Sequence, residues 1–251
     1  MNKSCYGLLF AGLLVVTGNV FAADEKAEEK KEKSPWTASA ELNYIKTTGN
    51  TNTQTTGAKL DGVYEVDKWR HTGHAEAFGQ TSREKETNED VTSAERYEVQ
   101  GKSDYKFTER DYAFGLLKFK RDRFSGFDYE YTASLGYGRK ILKQENMELD
   151  VELGPGMRWY KVDGEEAETE GLLVVAANYW WKISDTSKFI QQLNFDFGET
   201  YSDSKSVTGI QANINKTLAL KFTYTLRHKS EVPPDTVKTD TETAMTLVYN
   251  F

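Results

Sequence analysis

The chain offers few residues that could do covalent or metal chemistry. Its only imidazoles are His71, His74 and His228, and its only cysteine is Cys5. His228 and Ser230 stand two apart, so on a strand they share one face. A Ser–His pair there would be the start of a lipid hydrolase acting from the membrane side of a barrel. Such a pair needs a third group to orient the imidazole and a donor for the oxyanion. The facing positions on the next segment are Thr241 and Thr243, and Glu231 follows Ser230, so neither requirement is met. The hydrolase is the remotest reading, and no catalytic residue is expected. His71 and His74 have opposite parity and cannot easily share a metal ion. Glu165, Glu166, Glu168 and Glu170 form one acidic loop, and Glu84, Glu86, Glu89 and Asp90 another. Neither has EF-hand spacing, so both read as solvated loops that at most share divalent cations with lipopolysaccharide phosphates. No metal site and no cofactor is expected.

Composition narrows the class. Apolar residues make up 38%, charged residues 28% and aromatics 13%, with a mean hydropathy of −0.67. Helical membrane proteins need runs of about 20 apolar residues, and this chain has none. The 14 Tyr, 13 Phe and 5 Trp are too many for a disordered chain. A net charge of −7 and a pI of 5.2 argue against nucleic acid as a partner. A hydrophilic average with many aromatics leaves the β-barrel as the open membrane class, because only alternate residues there meet lipid.

Three segments follow. Residues 1–22 read as a secretory signal peptide, with Lys3 before the apolar run Leu8–Val16 and Ala22 at the cleavage site. Residues 23–35 are a charged, flexible periplasmic tail ending at Pro35. From 36 to 251 the period is two. Leu42 and Tyr44 oppose Glu41 and Asn43; Tyr97 and Val99 oppose Glu98 and Gln100; Leu220, Phe222 and Tyr224 oppose Lys221, Thr223 and Thr225. About twelve such segments fall near 36–46, 54–66, 69–79, 94–105, 111–122, 128–139, 147–159, 170–182, 188–199, 205–216, 218–230 and 240–251. The fifth has unclear parity, since Leu116 and Leu117 compete. Short turns such as Glu65–Lys68 and Ile183–Thr186 alternate with longer charged loops such as Ser82–Thr92 and Glu231–Lys238. This is the pattern of an antiparallel transmembrane β-barrel with both chain ends in the periplasm.

A soluble barrel or sandwich shares the same alternation. Aromatics near strand ends favour the membrane barrel, among them Trp36, Tyr44, Trp69, Tyr105, Tyr112, Trp159, Trp180, Trp181, Phe189, Phe197 and Tyr201. The C-terminal series Met245, Leu247, Tyr249, Phe251 also resembles the signal read by the barrel assembly machinery. Tyr44–Thr53 (YIKTTGNTNT), Tyr64–Trp69 (YEVDKW), Glu95–Tyr97, Asp104–Lys106 and Arg123–Tyr129 running into Leu135–Gly138 resemble the YdiY-like family of salt-induced outer-membrane proteins, a domain family of unknown function. That resemblance implies a bacterial outer-membrane barrel with a link to salt or osmotic stress, and brings no substrate or catalytic residue.

The inward face is the remaining candidate site. Glu41, Glu76, Glu98, Asp104, Glu130, Asp150, Glu152 and Asp196 are expected to face the lumen with Arg70, Lys102, Lys221 and Arg227. Charges there must be paired or wet, because an unpaired buried charge is costly. Hydration would give a narrow diffusion channel for small ions or solutes, with a mild cation preference from the excess of acid. Pairing would give a plugged structural or interaction barrel supporting envelope integrity. Outer-membrane lipids and lipopolysaccharide are the expected partners.

Overall fold

A computed structural model describes residues 34–47, 53–83, 90–123, 125–234 and 236–251. The expected signal peptide, nearly all of the charged tail, the Thr48–Thr51 turn, Phe124 and the centre of the Ser82–Thr92 loop lie outside them. The described residues form twelve antiparallel strands: β1 (Trp36–Thr47), β2 (Thr53–Val66), β3 (Trp69–Arg83), β4 (Asp90–Lys106), β5 (Asp111–Asp122), β6 (Phe127–Lys143), β7 (Met147–Val162), β8 (Ala167–Lys182), β9 (Ser187–Gly198), β10 (Ser202–Asn213), β11 (Leu218–Lys229) and β12 (Thr239–Asn250). Each strand pairs with its chain neighbours, and β1 pairs with β12 to close the ring. Closure runs through Ser39 opposite Asn250 to Leu42 opposite Leu247, with the Phe251 N–H donating to the Ala38 carbonyl. A closed ring leaves no unpaired edge, which a strand in hydrocarbon requires.

The two faces are inverted relative to a soluble barrel. Leu42, Leu60, Val99, Leu117, Leu135, Phe222 and Met245 are exposed on the outside, whereas Glu41, Glu76, Glu98, Asp104, Lys120, Glu130 and Arg158 are buried inside. Alternate residues point to opposite faces, so a strand with one apolar and one charged face can satisfy lipid and lumen together. Tight turns join β2 to β3, β4 to β5, β6 to β7, β8 to β9 and β10 to β11 at the end where β1 begins and β12 finishes, called the terminal end below. In the first of these Asp67 takes a φ of 50°, a left-handed conformation that Asp tolerates. Several boundaries differ from expectation by three or four residues. β3 runs on to Arg83, β6 to Lys143 and β7 to Val162; β4 starts at Asp90 and β8 at Ala167; and β10 spans Ser202–Asn213 rather than 205–216. The Ser-rich sequence of β10 has no apolar face to mark its start.

Candidate functional site: the charged lumen

Ion pairs fill the barrel and join opposite walls. Glu76 of β3 is the hub. Its carboxylate accepts from Arg96 of β4 at 2.8 Å and from Arg227 of β11 at 3.3 Å. Lys59 of β2 lies at 3.6 Å and Lys205 of β10 at 3.8 Å. Arg96 and Arg227 also share Glu242 of β12, at 3.0 and 3.2 Å. Lys205 reaches Glu98 of β4 at 3.2 Å. Strands β4 and β10 are six places apart in the ring, hence opposite. One lysine–glutamate pair can span that distance only if the walls approach, so the barrel is flattened along this line.

Toward the end that carries the longer loops, Lys118 of β5 pairs with Asp196 of β9 at 2.5 Å. Lys120 pairs with Asp203 of β10 at 2.9 Å. Glu130 of β6 accepts from Lys229 of β11 at 2.6 Å and from the Tyr201 hydroxyl at 2.7 Å. Phe127, Tyr160 and Tyr201 pack together there, all nearly fully buried. The Arg158 guanidinium lies 3.5 Å from the Tyr201 ring centre, and Lys229 lies 3.7 Å from that of Phe127. Arg158 also donates to Glu170 and to the Tyr201 carbonyl. Cations on ring faces are strengthened where water is excluded.

Toward the terminal end, Arg70 donates to Asp104 at 2.7 Å and lies 4.0 Å from Asp150. Lys102 pairs with Glu152, which also accepts from the Tyr112 hydroxyl at 2.7 Å. Lys221 pairs with Glu41 at 2.7 Å. A void of about 10 Å³ lies between Glu41, Lys59, Glu76 and Glu242. That is room for about one water. Outside the membrane-spanning segments, the hydrogen bond from Lys143 lowers the pKa of Glu109 in the β4–β5 turn. Lys182 does the same for Asp185 in the β8–β9 turn.

All nine lumen candidates, Glu41, Glu98, Lys102, Asp104, Asp150, Glu152, Asp196, Lys221 and Arg227, have an oppositely charged partner within 4.0 Å. Sequence reasoning missed Lys59, Arg96, Lys118, Lys120, Arg158, Lys205 and Lys229 among the bases, and Glu170, Asp203 and Glu242 among the acids. With these counted, the inward excess of acid on which a cation preference would rest disappears. Lys118 and Lys120 were hidden by the ambiguous parity of β5. The structure decides it, with Leu117 outside at 68% exposure and Phe114 inside at 4%. Tyr112 and Tyr201, expected among the interfacial aromatics, are turned inward because they share parity with the charged face.

The histidines do not assemble a site. His71 Nδ1 bonds the Ser103 hydroxyl at 2.8 Å outside the barrel, whereas His74 Nδ1 lies 2.7 Å from Asp61 inside it. His228 Nδ1 bonds Thr239 at 2.8 Å, and the Ser230 hydroxyl accepts the Ser202 N–H at 2.9 Å. His228 and Ser230 are thus each engaged elsewhere. Met245, Leu247 and Tyr249 face outward at the closing strand, with the Tyr249 ring 4.8 Å from that of Phe251.

Residues 40–251 match a family model described as Protein of unknown function, DUF481. Uncharacterized protein YdiY of Escherichia coli (strain K12) is 28% identical over 248 residues, covering 98% of this chain and 94% of that protein. The COG4313 outer membrane channel from Pseudomonas putida F1 is similar with a TM-score of 0.50 at 9% identity, over 92% of this chain and 100% of that one. The translocator domain of autotransporter NalP from Neisseria meningitidis gives a TM-score of 0.48 at 12% identity, over 88% and 90%. The likeness to the COG4313 channel is one of fold: an outer-membrane β-barrel.

Proposed function

The chain belongs to the family described as Protein of unknown function, DUF481, and we propose that this member is an outer-membrane barrel with a narrow path for small ions or solutes, shut at rest by ion pairs across its lumen. The observation that carries this reading is the Lys205–Glu98 bridge between opposite strands, continued through Glu76 to Arg96 and Arg227. Pairs in so confined a space resist screening, so ordinary ionic strength should leave them intact. A lumen filled by charge pairs rather than apolar side chains supports a path that can open, since parting a pair leaves charges that need water. The shared fold with the COG4313 outer membrane channel from Pseudomonas putida F1 supports the same direction. Export through residues 1–22, contact with lipopolysaccharide, handling by the assembly machinery and a role under salt stress belong to this proposal. A plugged structural barrel is the second reading, favoured by the aromatic and cationic seal of Phe127, Tyr201, Arg158 and Lys229.

Conductance in planar bilayers tests both, on refolded protein whose folding is checked by heat-shifted gel mobility. The wild type should be silent at low voltage. Glu76→Gln with Glu98→Gln should give discrete, salt-dependent steps. These should favour anions, because Lys205, Arg96 and Arg227 lose their partners. Open steps in the wild type would overturn the closed lumen. Silence of a folded double variant would overturn the path and leave the structural barrel.

A further inference from the structure

The outward face of β1–β7 is not uniformly convex. It holds an apolar groove of about 1570 Å³, walled by Leu60, Val99, Leu117, Leu135 and Met157. Its floor is bare backbone. Ala38, Gly62, Gly73 and Gly101 are successive cross-strand partners over β1, β2, β3 and β4, so one lateral row carries almost no side chain. A Cβ placed on Gly62, Gly73 or Gly101 would meet nothing within 4 Å. These glycines are therefore required neither by crowding nor by a positive φ. Glycine inside a strand weakens it, and it is found where a ligand or another backbone approaches closely.

The groove opens at the terminal end, on an outward run of rings. Trp36 lies 4.4 Å from Tyr64, Tyr64 6.3 Å from His71, His71 5.7 Å from Trp69, and Trp69 5.0 Å from Tyr105. Lys68 places its ammonium 6.0 Å from the Tyr105 ring centre. Such amphipathic rings sit at the headgroup level of a bilayer.

We infer that this groove holds one phospholipid of the periplasmic leaflet, its acyl chains on the glycine floor and its headgroup beside His71, Trp69 and Lys68. Three observations select that occupant. The groove lies within the apolar band that faces lipid, so acyl chains are its surroundings already. Its polar rim is at the end with the tight turns, where β1 begins and β12 finishes, the periplasmic leaflet of such a barrel. A second copy would have to use the same patch twice about a two-fold axis, and two facing troughs leave a void rather than a contact. Flexible chains can fill a concavity that a rigid barrel wall cannot. The inference does not depend on whether the lumen conducts.

The test fills the trough without disturbing the fold. Gly73→Leu with Gly101→Leu adds side chains into open space, and Gly171→Leu does the same on β8 outside the groove, where a Cβ also meets nothing. Delipidated, detergent-solubilised barrel is reloaded with dioleoyl phosphatidylethanolamine, and bound lipid is counted by native mass spectrometry. The wild type and Gly171→Leu should retain one lipid. The double variant, with unchanged heat-shifted mobility, should retain it about tenfold less tightly, as expected for losing on the order of 60 Å² of apolar contact. Equal retention by the folded double variant would overturn the assignment, as would a wild type that retains none. Preference for lipopolysaccharide over this lipid would overturn it too. So would a dimer that the double variant abolishes, which would give the face to a second copy.

Discussion

Glu76 and Arg158 show how single side chains are held in the lumen. The Glu76 side chain is 2% exposed, and its charge is tolerable only because Lys59, Arg96, Lys205 and Arg227 converge on it. Arg158 is equally buried, with Glu170 as counter-ion and the Tyr201 ring as a stacking surface. Arg158→Leu strands a buried carboxylate and should cost about 3–5 kcal/mol. The expected readout is a lower urea midpoint for loss of the heat-shifted band. Arg158→Lys should recover only part of it, because an ammonium lacks the planar fork and the stacking face. At the outer surface, Ser230→Ala should leave fatty-acid release from phospholipid vesicles at the wild-type background, since the Ser230 hydroxyl is occupied by the Ser202 N–H. Acid should loosen the exposed β4–β5 turn. Its Glu109 carboxylate is held below its ordinary pKa by Lys143, so that bond persists above the ordinary carboxylate range and is lost as pH falls through the lowered value. Faster hydrogen exchange of the turn amides on acidification would report it. These partners were not legible from sequence, because an inward parity says which residues enter the lumen and not which of them meet.

Strands carry the alternation, and the parity of most could be read wherever one face is apolar, as in β1, β4, β7 and β11. It failed where that contrast is weak. β5 sets Tyr112 and Phe114 inward with Lys118 and Lys120, and β10 alternates Ser with Asp203 and Lys205. Their faces are fixed by pairing to neighbours, since a one-residue slip would expose every lumen charge to lipid. The same element scale separates two kinds of glycine. A Cβ on Gly154 would lie 2.2 Å from the Leu135 carbonyl oxygen and 2.6 Å from the Gly136 Cα, so β6 and β7 need that position bare. Gly154→Ala should therefore destabilise the barrel by about 1–3 kcal/mol, while Gly62→Ala, facing open space, should not. Urea-dependent loss of the heat-shifted band distinguishes them.

At the scale of the molecule, closure and flattening are the two properties that matter. The ring closes where β1 meets β12, and Phe251 caps that seam through its N–H to the Ala38 carbonyl. If the outward series Met245, Leu247, Tyr249, Phe251 is what the assembly machinery reads, Phe251→Ser should lower the fraction of heat-shifted protein in isolated outer membranes. The same variant refolded in detergent should still close. Closure in vitro and assembly in cells are thus separable. The sequence by itself determined about twelve strands, most with one apolar and one charged face, because the two-residue period is fixed by local composition. That period is common to soluble and membrane barrels, so the apolar outside was argued from the strand-end aromatics and the C-terminal series and is seen directly in the fold. Only the tertiary structure decided that the lumen charges are paired across opposite walls and that a groove floored by Gly62, Gly73 and Gly101 scores the outer face. Both depend on which strands lie opposite or abreast and how far the ring is flattened, and those distances join residues far apart in the chain that no local pattern relates.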